Sequence, residues 1–166
     1  MRTDLIRDLF QHLDSGGALQ VGSCSNEANR TLEEMPLPLE VKRVLQWYWM
    51  NSGGEIGGYS LYSVEESLAN EDLPSLIVAN MFPIGCAANG DPLVLCFNEE
   101  RCAVGLVSHD QFWEDGTDPK AAYAEVTASI DEFLWRAAEG RYLPIDYYAA
   151  SELLEMRKEI AGNDSG

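Results

Sequence analysis

Asn89-Gly90-Asp91, set between two apolar runs, constrains the fold of this chain more than any other feature. Asn-Gly is the dipeptide that best tolerates positive φ, so it reverses a chain between two antiparallel strands. Before it stands the run Met81-Phe-Pro-Ile-Gly-Cys-Ala87. After it, Leu93, Val94, Leu95 and Phe97 carry a second strand, Asn98 to Arg101 make a polar turn, and Cys102 to Ser108 return. The spacing predicts three consecutive, adjacent strands within 76–108.

The flanks read as helices with a little more strand. Thr3 caps a first helix with the apolar face Leu5, Ile6, Leu9, Phe10 and Leu13, ended by Ser15-Gly16-Gly17. Residues 16–36 are poorly patterned and read as a loop with one short element. Pro38 fits the first turn of a helix with Val41, Val44, Leu45 and Tyr48 on one stripe, closing at Asn51-Ser52-Gly53-Gly54. Tyr59 to Ser63 is a short strand, and Ser63-Val64-Glu65-Glu66 is a capping-box pattern that starts a brief helix through Leu68. Asp118-Pro119 predicts a helix with the apolar face Tyr123, Val126, Ile130, Phe133, Leu134 and Ala137, stopped by Gly140. Asp146 caps a last helix carrying Ala149, Ala150, Leu153, Leu154, Met156 and Ile160. The expected fold is a single α+β domain over 1–166, a largely antiparallel sheet with helices packed on one face.

The order Pro83-Ile84-Gly85, small residues, Gly90-Asp91, apolar strand, turn, valine-rich strand, His109-Asp110 resembles the SUKH superfamily. That family contains bacterial immunity proteins and the yeast cell-wall-synthesis regulators. The likeness extends to the Leu37-Pro38 helix start, to Asn51-Ser52-Gly53-Gly54, and to Tyr59-Ser-Leu-Tyr-Ser-Val-Glu-Glu66. It covers roughly 35–135, and it lies in the order and spacing of short pieces. Asn51-Ser52-Gly53-Gly54 departs from the pattern by one extra residue. The helices at 3–14 and 146–161 are additions to it. The resemblance implies a non-enzymatic domain, first of all an immunity protein that neutralises a cognate toxin, commonly a nuclease. A regulatory or scaffold domain binding a cell-envelope or signalling protein is the alternative, and a small hydrolase a third reading.

Charge bears on the partner. The formal net charge is −17, and no Lys or Arg occurs between Arg43 and Arg101. Direct binding of nucleic acid or of an anionic membrane needs a basic footprint and is disfavoured. A negative field either serves solubility or steers in a basic protein partner. No apolar run approaches a membrane span, and Met1-Arg2-Thr3-Asp4-Leu5 does not open a secretory signal, so a cytoplasmic location is expected. The four cysteines, Cys24, Cys86, Cys96 and Cys102, have no disulfide or zinc spacing and read as free thiols.

Residues able to do chemistry are few. Of the two histidines, His12 reads as a solvated residue late on the first helix. His109 reads as a strand-end residue bonded to backbone or to a carboxylate. His-Asp resembles a metal phosphohydrolase pair, but such sites need further histidines. Gly53-Gly54-Glu-Ile-Gly57-Gly58 lacks the Lys-Ser/Thr of a phosphate loop. No cofactor and no metal are expected. Trp47 points away from the stripe of Tyr48, and the reading for it is burial under a neighbouring element, with an exposed indole as a contact candidate. The candidates for partner contact are Asp91, Asp110, Phe112, Trp113, Glu114 and Asp115, a mix of carboxylates and aromatics at a strand end. For Asp91 the competing reading is a carboxylate that bonds turn amides.

Overall fold

The Asn-Gly turn forms as its chemistry requires. Gly90 adopts φ +94° and its N–H donates to the Ala87 carbonyl at 3.0 Å. The computed structural model describes residues 6, 8–10, 21–98, 101–112 and 117–163. Along the chain lie β1 (Val21–Gly22), α1 (Asn26–Glu34), α2 (Leu39–Trp47), β2 (Trp49–Met50), β3 (Gly54–Ile56) and β4 (Tyr59–Leu61). Then come α3 (Val64–Leu68), α4 (Leu73–Val78), β5 (Met81–Ala87), β6 (Pro92–Phe97), β7 (Cys102–Val107) and α5 (His109–Phe112). β8 (Tyr123–Thr127), α6 (Ile130–Ala138) and α7 (Tyr147–Asn163) complete it. The fold is α+β: β3 to β8 form a six-stranded antiparallel sheet in sequence order, and β1 pairs with β2 alone.

Alternation along the central strands builds two cores, because successive side chains of a strand point to opposite faces. Phe82, Ile84, Leu93, Leu95, Phe97, Val104 and Leu106 enter the main core with Leu32, Val41, Leu45, Trp49, Phe133 and Leu134. Ile6 and Phe10 of the N-terminal helix belong there too, and Phe10 meets Trp49 edge-on at 5.5 Å. Met81, Val94 and Val107 face the other way and form a smaller cluster with Leu76, Ala79, Phe112 and Ala122. Most helical cover therefore lies on one face, while α4 and α5 close a patch of the reverse. Pro83, which has no N–H to give a ladder, sits where the β5–β6 register shifts, a place a sheet tolerates proline.

Two caps hold as read. Ser63 accepts the Glu66 N–H at 3.2 Å while Glu66 Oε2 accepts the Ser63 N–H at 2.7 Å. Asp146 accepts the Ala149 N–H at 2.8 Å and starts α7. Thr3, Leu5, Leu13 and His12 lie outside the described residues.

Several boundaries differ from the sequence expectation. Residues 123–127 are a strand, not the first turns of a helix. Asp118 spends its side chain on the Lys120 N–H in a turn (3.0 Å), and the helix cap is Ser129, which accepts the Glu132 N–H at 3.3 Å. The spacing Tyr123, Val126, Ile130 suits a helix, but β7 offers an unpaired edge, and pairing with it wins. Leu76 to Val78 are helical in α4, and Asn80 takes φ +60° before the meander opens at Met81, so the strands span 81–107. α2 stops at Trp47; Trp49 and Met50 pair with β1, and Gly57 and Gly58, both at positive φ, turn β3 into β4. The unpatterned 16–36 stretch holds α1, capped by Ser25, which accepts the Ala28 N–H at 3.2 Å. Trp47 is 60% exposed, against the expectation of burial, at the point where the helix ends. In α7, among residues 147–160, Ala150 alone is fully buried; Met156 and Ile160 face solvent.

Candidate functional site

Three chain reversals meet at Asp91. The β5–β6 turn supplies Asp91 itself, the end of β7 supplies His109, and the start of α7 supplies Tyr147. Asp91 Oδ1 accepts the backbone N–H of His109 at 3.0 Å and faces its Nδ1 at 2.7 Å. Oδ2 accepts the Tyr147 N–H at 2.8 Å and the Asn89 side-chain amide at 2.8 Å. Asn89 Oδ1 accepts the Asp91 N–H in return, at 3.1 Å. The Asp91 side chain is 1% exposed, so every acceptor position is used inside the protein. The carboxylate bonds amides, but the backbone amides are those of His109 and Tyr147 from two other elements, and only the Asn89 side chain comes from its own turn. Buried and saturated, Asp91 has nothing to offer a partner from this position.

Electrostatics follow from these contacts. Burial of the Asp91 carboxylate opposes its ionisation, but the N–H groups of His109 and Tyr147, with Asn89 and the His109 ring, outweigh it and hold its pKa below the usual range. On the other side of the ring, His109 Nε2 lies 3.0 Å from Asp110 Oδ1. A ring with a carboxylate at each nitrogen satisfies both only when doubly protonated. The hydrogen bond to Asp91 leads in raising the His109 pKa; partial burial opposes it, and the Asp110 charge adds to the rise.

Asp110 carries the constellation outward. Its side chain is 61% exposed, and Tyr148 Oη donates to its Oδ2 at a long 3.4 Å. Tyr147 and Tyr148 meet edge-on at 5.4 Å, and Ile145, just before α7, is 73% exposed. The corner thus displays a carboxylate and a phenol beside the buried, fully bonded Asp91. Phe112 is not part of this display: it is buried in the smaller core, because one turn of α5 points it back at the sheet. Trp113, Glu114 and Asp115 lie outside the described residues.

A general base needs a free lone pair on its nitrogen, and both ring nitrogens here point at carboxylates. Three thiols are held in the protonated form, Cys24 and Cys96 chiefly by burial and Cys102 pushed up to about 12 by burial. Among the described residues no group of three or more His, Cys, Asp or Glu could hold a metal ion. No described helix is long and apolar enough to cross a membrane.

Sequence reasoning did not find Tyr148 or Ile145. Tyr148 meets Asp110 beside the Asp91–Tyr147 bond, which joins residues 56 apart, and no local pattern marks such a contact. Comparison with protein-family models, with curated proteins and with solved structures finds no match. The fold and the site define an acidic α+β domain with a six-stranded meander and a charged, aromatic corner.

Proposed function

We propose that this chain is a non-enzymatic, acidic protein-binding domain whose role is that of an immunity protein, neutralising a toxin with a basic surface such as a nuclease. The observation that carries the reading is the exposed Asp110–Tyr148 pair, mounted on the fully bonded Asp91–His109 base. Interfaces draw affinity from tyrosine and apolar anchors, and charged groups around them set encounter rate and partner choice. Mounting such groups on a rigid base lowers the ordering cost of binding. The net charge of −17 gives the long-range field that a basic partner would follow. The toxin half of the reading rests on the resemblance to the SUKH superfamily.

The test begins with affinity purification from the native cell at low and high salt, with partners identified by mass, and continues with binding kinetics on the partner recovered. Asp110→Asn is expected to slow association mainly, and to do so most where the Debye length exceeds ~8 Å. Tyr148→Ala is expected to speed dissociation. A partner that is not basic, or binding indifferent to salt and to both substitutions, would refute the reading.

A further inference from the structure

A second site of opposite charge lies where α6 gives way to α7. Val126, Trp135, Arg136, Arg141, Tyr142, Pro144, Leu153 and Arg157 line a cavity of about 300 Å³. Three of the chain's 11 cationic side chains are in that wall, and no carboxylate of the described residues is. For a chain with net charge −17 this is the reverse of what random placement gives.

Local structure explains how the arginines converge. Gly140, at φ +62°, ends α6, and the Arg141 N–H donates to the Arg136 carbonyl at 2.9 Å, which folds Arg141 back over the helix. Its guanidinium then lies 4.0 Å from the centre of the Trp135 ring. The Tyr59 hydroxyl donates to the Pro144 carbonyl and Leu143 is buried, so the 141–144 connection is tied to the sheet. α7 brings Leu153 and Arg157 from the other side. Arg136 is paired with Glu132 at 2.7 Å and Arg141 with Glu139 at 2.9 Å, both carboxylates lying outside the cavity wall. Arg157 makes no ion pair among the described residues. Placing a cation near a helix C-terminus accounts for Arg136 alone. It does not account for Arg157, twenty-one residues further on, or for the aromatic and aliphatic wall between them.

We infer that this cavity binds a small organic oxyanion, a carboxylate or phosphate carried on a compact apolar body. The guanidinium fork matches both oxyanions in geometry, and Arg157 is the one whose charge is uncommitted. Val126, Pro144, Leu153 and the two rings supply the apolar contact. The volume is at the small end of ligand pockets, which fits one ring with one charged group and excludes a dinucleotide.

Phenyl phosphate, 3-phenylpropionate and inorganic phosphate are the probes, titrated into the full chain and followed by NMR and calorimetry. Saturable binding of phenyl phosphate or of 3-phenylpropionate, tighter than that of inorganic phosphate, is the expected result. Which of the two binds better decides between phosphate and carboxylate. Arg157→Glu should weaken the better probe by roughly tenfold or more, since a charged hydrogen bond is lost and a like charge gained. Lys158→Glu makes the same change in net charge one residue away, on a side chain already engaged by Glu155 at 2.7 Å, and should leave binding unchanged. Both positions are exposed, so neither variant threatens the fold. Binding lost equally in the two variants, inorganic phosphate binding as well as the ring-bearing probes, or no saturable binding of either organic probe would overturn the assignment.

Discussion

Replacing Asp91 by Asn removes one oxygen and puts an NH₂ group in its place, in a pocket where four donors converge. If the new amide nitrogen takes the Oδ1 position, it faces the His109 N–H; if it takes the Oδ2 position, it faces the Tyr147 N–H. Either way a buried backbone donor is left facing another donor, and the imidazolium loses its closer counter-charge. Leaving a buried polar group unpaired costs about 1–3 kcal/mol, and His109, a quarter exposed, keeps Asp110 as a counter-charge. The expected loss is therefore about 1–3 kcal/mol, against a total stability of roughly 5–15 kcal/mol for a domain. Urea unfolding at pH 6 measures it: the midpoint should fall with the slope unchanged. Asp110→Asn is the contrast, because its carboxylate is exposed and should be worth less than about 1 kcal/mol. A loss at Asp91→Asn below about 1 kcal/mol, or equal to that at Asp110→Asn, would refute the claim that this carboxylate ties the three reversals together.

The same corner sets a pH dependence. The Asp91 contribution is present above the unfolded carboxylate value near 3.8 and is lost as pH falls through its lowered folded value. The His109 contribution has the opposite sign: it is complete below 6.5 and is lost as pH rises through the raised folded value. Stability should therefore decline as pH climbs past 6.5, and His109→Gln should remove that decline in urea titrations; a parallel decline in both proteins would exclude His109 as its source. Trp49→Ala should cost about 3–5 kcal/mol in the same assay, since the ring is fully buried and its indole N–H donates to the Tyr62 carbonyl at 2.8 Å. Trp47→Ala, at an exposed position, should stay within about 0.5 kcal/mol. Gly85→Ala places a Cβ well inside contact distance of the Ser60 carbonyl oxygen across β4 and β5, and should lower stability by about 1–3 kcal/mol or more, read as a fall in Tm. Cys102 should react slowly with a thiol reagent at pH 8, its thiol being pushed up to about 12, and rapid labelling in the folded protein would contradict that burial.

What the sequence determined by itself is what neighbours along the chain decide. The Asn89-Gly90 turn, the three central strands and the Ser63–Glu66 box are local: each rests on backbone freedom, side-chain alternation or a cap within four residues. Tertiary structure decided the rest. Tyr123 to Thr127 satisfies a helical apolar period and a strand alternation equally, and only the open edge of β7 selected the strand. Trp47 and Trp49 are two residues apart with one side chain exposed and the other fully buried, because the chain leaves its helix between them to pair with β1. The corner at Asp91 was legible as a turn with a carboxylate in it and a strand-end His109 needing a carboxylate or backbone partner, but not as one joint. Its backbone donors come from positions 18 and 56 residues away, and a hydrogen bond across that separation leaves no periodicity to read. Sequence names the groups that need partners; the packing of the sheet against α5 and α7 chooses which partners they get.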